Sequence, residues 1–226
     1  EVKIITIEDP VEYHLEGLTQ TQVEEEKGYT FVAGLRAALR QDPDVIMVGE
    51  IRDTDTAKVA INAALTGHLV FSTLHTNNAA GTIPRLIDLG VNSKVIASAL
   101  SISLAQRLVR KICENCKGAY ESNEKESRVI TNILGDMITT GKEGSMEGHT
   151  VSTSYTLYHA KGCEECSHTG YKGRIGIFEA IIMTPEIETV LLGNPSEREV
   201  HVAAKGQKIP SLREDAIIKM LEGITS

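Results

Sequence analysis

The sequence predicts an α/β fold built on a parallel sheet, and two observations support this prediction. Two apolar runs rich in β-branched residues, 45–48 and 69–74, have the length and composition of buried strands. Between them lies a segment with helical periodicity, for which Asp53 provides an N-cap and Gly67 a stop. Strand, helix and strand form a βαβ unit, and the crossover of such a unit pairs its two strands in parallel.

Each predicted strand is followed directly by polar residues. A third apolar run, at 2–7, opens the chain and completes the set. The polar residues after the three runs are Glu8, Asp9 and Glu12, then Glu50, Arg52 and Asp53, then His75, Thr76 and Asn77. Because ligands of open α/β sheets bind outside the carboxyl ends of the strands, the pattern predicts one site that collects these groups. For any single loop, the general polarity of loops is an equally good explanation.

Two arginines mark one face of a helix that is predicted to begin at Thr30. Arg36 and Arg40 are four residues apart, so they share this face, and solvation at the surface is the simplest interpretation. The helix ends directly before the apolar run at 45–48. From this position we expect Arg40, with Arg36 as second choice, to lie close to the same site and to sense phosphate. A short edge strand is predicted at 18–23.

Composition and charge exclude several classes of protein. With 226 residues and 41% hydrophobic content, the chain can bury a real core. The net charge of −8 comes without a basic stripe, so no nucleic-acid partner is expected. The uncharged stretch 59–84 is interrupted too often by polar residues to span a bilayer. The N-terminus lacks a secretory signal and starts on a predicted strand, so we expect that an upstream part was removed.

All four cysteines belong to CxxC pairs. Cys113 with Cys116, and Cys163 with Cys166, supply four thiolates, which matches a closed structural Zn²⁺ site. The 46 residues between the pairs predict an insertion that is looped out. A redox CxxC and paired disulfides are the rival interpretations, and a cytosolic setting disfavours both. His168 is an alternative ligand, although four cysteines make a bystander role the expected one.

Local signals predict the remaining elements. Gly162 and Gly170 permit tight turns beside the cysteine pairs. Within the insertion we expect a helix around 124–138 and a mobile loop at 141–154. The elements predicted after the second pair are a strand at 174–183 and helices opening at Pro185, at Ser196 with Glu199, and at Ser211 with Glu214.

Several sequence blocks resemble motifs of one ATPase family. IEDPVEY resembles the Asp box, LRQDPDVIMVGEIRD the Walker B region and GHLVFSTLHT the His box of the type II secretion and type IV pilus assembly ATPases. The paired CxxC motif, GYKGRIGIFE and IPSLREDAI are also similar to that family, and the cysteine element favours its secretion and pilus-extension branch. The resemblance implies a partial RecA-like P-loop ATPase core at 1–112, an inserted tetracysteine zinc module at 113–170 and a mostly helical C-terminal part at 171–226.

One departure from the family pattern is large. The phosphate-binding loop GxxxxGK[ST] does not occur, since the sole Gly-Lys pair, Gly141-Lys142, is followed by Glu143. In the family this loop lies shortly upstream of the Asp box. We therefore expect that these 226 residues alone neither bind ATP tightly nor hydrolyse it.

The resemblance also implies a role for each candidate residue in the intact parent protein, whose cofactors are ATP and Mg²⁺. Glu12 is favoured as the carboxylate that orients or deprotonates the attacking water, with Glu8 and Asp9 holding the box and the metal shell, and the choice between Glu8 and Glu12 stays open. Glu50 completes the Mg²⁺ site. His75 is favoured for direct contact with the nucleotide. The second candidate, His68, is expected to lie on the opposite face, against the core or a neighbouring subunit.

The family implies a homo-hexameric ring, cytoplasmic and peripheral to the inner membrane, whose ATP turnover drives a membrane platform protein. Two other functions are kept as alternatives. One is a zinc-stabilised structural or interaction module without catalytic activity. The other, a zinc-ribbon nucleic-acid binder, is disfavoured because Glu114, Glu164 and Glu165 occupy the CxxC knuckles.

Overall fold

The computed structural model describes residues 2–139 and 154–226 and divides into two compact units. The first unit comprises Glu1–Ser103 and Ile182–Ala204, and the second comprises Leu104–Ile181 and Lys205–Ser226. The three-part division at 112 and 170 stays a prediction from the motifs. Of the loop predicted to be mobile, residues 141–153 lie outside the described residues.

The secondary structure follows the predicted α/β order. In chain order the strands are β1 (Ile4–Glu8), β2 (Thr19–Gln22), β3 (Val45–Val48), β4 (Leu69–Ser72), β5 (Ile102–Ile112), β6 (Lys117–Glu121), β7 (Thr156–Ala160) and β8 (Tyr171–Ile182). The helices are α1 (Phe31–Leu39), α2 (Thr54–Leu65), α3 (Thr82–Asp88), α4 (Ser93–Ala99), α5 (Glu124–Thr139), α6 (Pro185–Leu191), α7 (Glu197–Ala204) and α8 (Leu212–Leu221).

The first unit contains a four-stranded sheet of order β2-β1-β3-β4, in which every neighbouring pair is parallel. The register places Ile7 beside Val48, and Val48 beside Ser72. The last residues of β1, β3 and β4 therefore lie next to one another. This arrangement confirms the predicted parallel βαβ unit and the common direction of the three apolar strands.

Two predicted caps begin the helices that cover this sheet. The Thr30 hydroxyl accepts a hydrogen bond from the Ala33 N–H at 3.2 Å, and the Asp53 carboxylate accepts from both the N–H and the hydroxyl of Thr56 at 2.8 Å. The Thr56 N–H is the main reason why the pKa of Asp53 is lowered. An N-cap of this type stabilises a helix by about 1 kcal/mol.

The core of the first unit lies between the sheet and α1. Ile5, Ile7 and Ile46 are buried, and α1 packs on β1 and β3 at such a short distance that a Cβ on Gly34 would lie 2.9 Å from Ile7 Cγ2. The prediction that 69–74 forms a buried strand is corrected in part. Leu69 and Phe71 are 55% and 54% exposed, because β4 is the end strand of the sheet in the described chain.

The second unit contains its own apolar cluster and two two-stranded sheets, β5 with β8 and β6 with β7. The pairing of β6 and β7 is antiparallel, with Ala119 opposite Tyr158. The buried residues of the cluster are Ile130, Leu134, Tyr155, Leu157, Ile218 and Leu221. Helices α5 and α8 pack on one another, and α8 also packs on β7.

The C-terminal helices begin where the sequence predicts. Pro185 is the first residue of α6, Glu199 accepts from the Ser196 N–H and hydroxyl ahead of α7, and Ser211 with Glu214 forms a reciprocal capping box at α8. Across residues 2–139 and 154–226, we find no helix with the length and apolar character needed to cross a membrane.

Candidate active site and cysteine cluster

Side chains from three strands meet at the carboxyl edge of the four-stranded sheet. Nε2 of His75, which follows β4, lies 2.9 Å from Glu50 Oε2, and the Arg52 guanidinium donates to Glu50 Oε1 at 2.5 Å. Arg52 also lies 3.8 Å from the carboxylate of Asp9, which follows β1. The parallel strands thus place the predicted acidic, guanidinium and imidazole groups in one cluster, which we call the carboxyl rim (Asp9, Glu50, Arg52 and His75).

Glu50 is the electrostatic centre of the carboxyl rim. Its side chain is 13% exposed, whereas those of Arg52 and His75 are 58% and 81% exposed. The hydrogen bond from Arg52 is the largest cause that lowers the pKa of Glu50. Burial raises this pKa, and the hydrogen bond from His75 lowers it further. The same ion pair raises the pKa of Arg52. Glu50 is therefore an anion at neutral pH and is held from two sides.

Backbone and hydroxyl contacts extend the β3–β4 pairing into the rim loops. The Ile51 N–H donates to the Thr73 carbonyl at 3.0 Å, and the Thr73 hydroxyl donates to the Gly49 carbonyl at 2.7 Å. A Cβ on Gly49 would lie 3.1 Å from the carbonyl oxygen of Ile7. A side chain at this position would therefore need β1 and β3 to shift by a few tenths of an ångström where the rim begins, so the site favours glycine.

The loop after His75 is fixed by contacts to a distant helix. Asn78 accepts from the Gly81 N–H at 2.9 Å through Oδ1, and its Nδ2 donates to Glu197 of α7 at 2.6 Å. The Thr76 hydroxyl donates to the Asn78 carbonyl at 3.0 Å. The segment that carries His75 thus has its shape set partly by a residue 119 positions downstream.

The four cysteines gather as the CxxC pattern predicts. The Sγ–Sγ distances are 3.9 Å for Cys113 to Cys163, 3.8 Å for Cys116 to Cys166 and 3.7 Å for Cys163 to Cys166. All four sulfurs lie within 4.8 Å of one another, and all four thiols are free. Disulfide bonds, with S–S distances of about 2 Å, are excluded by these separations. The group has the composition and size of a metal-binding cluster.

Backbone N–H groups point at the cysteine sulfurs. Cys166 Sγ accepts from the N–H groups of Cys163 and Gly170, both at 3.2 Å. Burial raises the pKa of the Cys166 thiol, but the two N–H groups together with the Cys163 and Cys116 side chains outweigh burial and bring the pKa to about 6. The required turns depend on Gly162 and Gly170, which have φ values of +93° and +77° and whose added Cβ atoms would lie 2.6 Å and 2.5 Å from neighbouring atoms. His168 is not a member of the metal-binding group found among the described residues.

Comparison with known proteins decides the family. A sequence profile described as "Type II/IV secretion system protein" matches residues 1–226. The chain belongs to this family. It is 45% identical over 225 residues to the type II secretion system protein E of Pseudomonas aeruginosa, covering 99% of this chain and 41% of that protein. It is 46% identical over 221 residues to the type IV pilus assembly ATPase PilB of Thermus thermophilus, covering 98% of this chain and 23% of that protein.

Solved structures of secretion and pilus motors share the fold. The Legionella pneumophila ATPase DotB matches with a TM-score of 0.62 at 25% identity, covering 99% of this chain and 49% of that chain. The pilus retraction motor PilT with bound ADP matches with a TM-score of 0.63 at 27% identity, covering 99% and 50%. These matches confirm the predicted α/β, RecA-like fold class. The chain spans about two fifths of the length of the type II secretion relative.

Arg36 and Arg40, which are expected from the sequence to sense phosphate, lie on α1 and at its C-terminal end, and they are not among the rim contacts of this member of the type II/IV secretion family. Arg40 caps the C-terminal end of α1, directly before a loop in which Gln41 and Asp44 contact Lys3, the residue ahead of β1. Arg40 is therefore at the amino edge of the sheet, and a residue that precedes a strand cannot lie at that strand's carboxyl end. Arg36, one turn earlier on the same helix, is exposed, and its side chain forms no hydrogen bond or ion pair with any of residues 2–139 and 154–226.

His68 lies at the start of β4, whereas His75 follows its end. Nδ1 of His68 lies 3.1 Å from the Ala63 carbonyl and 3.2 Å from the Thr66 hydroxyl, so the ring closes the C-terminal turn of α2. The two histidines are therefore at opposite edges of the sheet, as their separation by one strand requires. The placement agrees with the expectation that the two histidines do not share one site, and the preference for His75 over His68 as the nucleotide contact stays a prediction.

The loop between β1 and β2 holds the Asp-box carboxylates. Glu8 Oε1 accepts from the Thr6 hydroxyl at 2.5 Å and from Gln20 Nε2 at 2.9 Å. The side chain of Glu12 is exposed and forms no hydrogen bond or ion pair with any of residues 2–139 and 154–226. The two candidates for the water-activating carboxylate thus differ, since one is fastened to the sheet and the other is available to solvent.

Sequence reasoning assigned no role to Arg52, Gln20 or Glu197. Arg52 stands two residues after Glu50 in the Walker B block, and that proximity to the carboxylate is a signal that the sequence does contain. Gln20 lies on an unremarkable polar edge strand, and Glu197 is separated from Asn78 by more than a hundred positions. For these two residues the sequence offers no local signal.

Proposed function

We propose that this chain is part of an ATP-hydrolysing motor subunit that powers type II protein secretion or type IV pilus assembly. The observation that carries this proposal is the convergence of Asp9, Glu50, Arg52 and His75 at the carboxyl edge of a parallel sheet. This edge is where open α/β sheets bind their ligands. Relatives described as a type IV pilus assembly ATPase and a type II secretion system ATPase support the assignment of the reaction.

Phosphoryl transfer to water needs little covalent chemistry from the protein, so catalysis depends on positioning the water and neutralising charge. We assign to Glu12 the task of orienting or deprotonating the attacking water, because its carboxylate is free. Glu8, bonded to Gln20, and Asp9, 3.8 Å from Arg52, hold the surrounding loop and would lie near the metal ion if it is bound. A general base of this kind contributes about 10²- to 10⁴-fold to the rate.

Glu50 is suited to a Mg²⁺ site, because it is an anion and has an oxygen-donor side chain with little exposure. When bound, Mg²⁺ supplies charge neutralisation for the phosphates. Within the chain, Arg52 and His75 fix the orientation of the Glu50 carboxylate through one hydrogen bond to each oxygen. His75 is thereby held at the rim, where we assign it direct contact with the nucleotide.

We also infer that these 226 residues by themselves neither bind ATP tightly nor hydrolyse it, because GxxxxGK[ST] does not occur among them. Isothermal titration of MgATP into this chain measures the first part directly. We expect no saturable heat at micromolar nucleotide. A low-micromolar dissociation constant would contradict the inference.

The cysteine cluster fits Zn²⁺, and we propose that it is a structural zinc site. Four sulfurs bonded tetrahedrally at about 2.3 Å from one ion are about 3.8 Å apart. The observed separations of 3.7, 3.8 and 3.9 Å agree with that figure. A site with four protein ligands has no open coordination position, so its role is to hold the two CxxC loops together.

For the intact parent we propose a homo-hexameric ring, cytoplasmic and peripheral to the inner membrane, whose turnover acts on an inner-membrane platform protein. The support is that relatives are named as components of secretion and pilus machines. Analytical ultracentrifugation of the intact parent with MgATP tests the ring. We expect a sixfold mass, and a monomer under all nucleotide conditions would contradict it.

A zinc-stabilised structural module without catalytic activity is the second candidate function, and the lack of the phosphate-binding motif in this chain favours it. The deciding experiment measures MgATP hydrolysis by the intact parent with Glu12→Gln and Glu50→Gln made separately. We expect each variant to lose at least about 100-fold in kcat. The matched control is Glu16→Gln, which alters an exposed carboxylate on the same loop. No hydrolysis by the wild-type parent would leave only the structural function, whereas wild-type activity in both Glu12→Gln and Glu50→Gln would contradict the roles assigned to these two carboxylates.

A further inference from the structure

The side chain of Gln20 connects three separate segments around the Asp box. Its Nε2 donates to the Tyr13 carbonyl and to Glu8 Oε1, both at 2.9 Å. Its Oε1 accepts from the Leu15 N–H at 2.8 Å. Both N–H groups of the amide and one lone pair of its oxygen are thus engaged, which is close to the full capacity of this side chain.

Gln22 adds a second contact from the same strand. Gln20 and Gln22 are two residues apart on β2, so their side chains leave the strand on the same face. Gln22 Oε1 accepts from the Val11 N–H at 3.2 Å. The backbone is therefore held immediately before Glu12, at Val11, and immediately after it, at Tyr13.

Gln20 binds the side chain of Glu8 but only the backbone near Glu12. One oxygen of Glu8 receives both the Gln20 amide and the Thr6 hydroxyl, so this carboxylate fastens β1 to β2. Glu12 has its backbone held on both sides while its carboxylate is exposed. A fixed backbone with a free carboxylate is what a water-orienting group requires, because misplacing such a group by about 1 Å costs about 100-fold in rate.

We propose that Gln20 is a positioning residue that sets the location of Glu12. The inference rests on the proposed ATPase function of the intact parent. The pairing of β1 with β2 does not depend on the Gln20 amide, since backbone bonds join the strands and the Val23 N–H donates to the Glu8 carbonyl at 2.8 Å. Loss of the amide therefore frees the loop without removing the strand.

The first test uses this chain and needs no nucleotide. Amide hydrogen exchange is measured at Leu15 and Val11 in Gln20→Leu and in the exposed control Gln41→Leu. We expect exchange at Leu15 to speed up at least about fivefold in Gln20→Leu, as the loss of one hydrogen bond implies, and to stay unchanged in the control. Unchanged exchange at Leu15 in Gln20→Leu would show that Gln20 does not hold the loop.

The second test measures ATP hydrolysis in the intact parent. We expect Gln20→Leu to lower kcat by about ten- to 100-fold, with KM for ATP within a factor of about two of the wild type, because the effect is on the water and not on nucleotide binding. Gln41→Leu should keep wild-type kcat and KM. In a Glu12→Gln background, Gln20→Leu should lower kcat no further, because it acts through Glu12.

Gln20→Glu provides a second variant if Gln20→Leu does not fold. It keeps an acceptor for the Leu15 N–H, loses both donated bonds and brings a negative charge towards Glu8, so kcat should fall as for Gln20→Leu. Wild-type kcat in either folded variant, or a further loss on top of Glu12→Gln, would overturn the positioning role. Absence of hydrolysis by the wild-type parent would instead overturn the proposed function. The exchange experiment would still test whether Gln20 holds the Leu15 N–H.

Discussion

The carboxyl rim and the cysteine cluster are organised by different physical means. The rim collects side chains from three parallel strands whose direction is set by the backbone, and its members other than Glu50 are largely exposed. The cysteine cluster joins two loops that are 50 positions apart through four side chains of one type. The geometry of the rim is therefore set by the sheet. The cysteine cluster, in contrast, helps to fix the two loops that carry it.

This difference predicts which region tolerates the loss of a single component. Removing one rim side chain leaves the sheet intact, because backbone hydrogen bonds hold the strands. Removing the ion proposed for the cluster leaves four thiols in a loop-rich region. Loss of the ion should therefore separate the two regions more strongly than any single rim substitution.

Zinc removal should have the largest effect. Metal binding by a tetracysteine site contributes about 10 kcal/mol or more at neutral pH, so a chelator should open residues 113–117 and 162–170 to proteolysis while 4–72 stays protected. Limited proteolysis with mass spectrometry, before and after chelation, measures this. Cys113→Ser should act like the chelator, and the neighbouring His168→Ala should not. Unchanged cleavage between 113 and 170 after complete zinc removal would refute a structural site.

A core substitution tests whether the second unit also depends on apolar packing. Leu134 is fully buried in the cluster formed with Leu157 and Ile218, so Leu134→Ala should destabilise the protein by about 2–5 kcal/mol. Because the chain contains no tryptophan, urea unfolding followed by far-UV circular dichroism measures the change in the free energy of unfolding. Val129→Ala on the same helix removes a half-exposed side chain and should cost well under about 1 kcal/mol. Equal losses in the two variants would mean that the cluster contributes little.

Close helix packing on the sheet gives an effect of intermediate size in the first unit. A Cβ on Gly34 would lie 2.9 Å from both Ile7 Cγ2 and the Tyr29 hydroxyl oxygen, so Gly34→Ala should destabilise by about 1–3 kcal/mol. The control is Gly135→Ala in α5, where nothing lies within 4 Å of the added Cβ. That change should be neutral or stabilising by up to about 1 kcal/mol, because alanine has the higher helix propensity. The comparison fails if both variants shift the urea midpoint in the same direction.

The parts of the fold that were predictable from the sequence are those with a local cause. Apolar runs of strand length, the caps at Thr30 and Asp53 and the capping box at Ser211 each depend on a few neighbouring residues. Strands β6 and β7 were missed because their pairing spans the insertion, and their sequences, KGAYE and TLYHA, contain little apolar alternation.

The candidate site was predictable only as far as strand direction determines it. The meeting of Glu50 with His75 follows from parallel strands, and the structure shows it. The position of Arg40 follows from the same rule, since a helix that leads into a strand ends at that strand's amino end, and its proposed contact with phosphate stays a prediction. The contact between Asn78 and Glu197 links distant parts of the chain, and no pattern in one sequence indicates it.

The smallest predicted effect concerns the pH dependence of the rim. The pKa of Glu50 is lowered in the folded protein, chiefly by the Arg52 hydrogen bond, so the unfolded chain binds this proton at higher pH than the native one. The ionised Glu50 therefore adds to the free energy of unfolding. This stabilisation is fully present above the ordinary glutamate pKa of about 4.5 and is lost as the pH falls through the lowered pKa of the folded protein. Because Arg52 is 58% exposed, solvent screening limits the contribution to about 1 kcal/mol or less.

Glu50→Gln measures this contribution when urea unfolding is carried out at pH 7 and at pH 3. The variant should be less stable than the wild type at pH 7, and the difference should shrink at pH 3, because below the ordinary glutamate pKa of about 4.5 the unfolded chain takes up this proton. Glu16→Gln, which removes an exposed carboxylate, should show a negligible difference at both values. A Glu50→Gln difference of the same size at pH 7 and pH 3 would mean that the Arg52 and His75 contacts do not stabilise the charged form. In that case backbone hydrogen bonds alone would hold the rim, and the rim would differ even more from the cysteine cluster, which is joined through side chains.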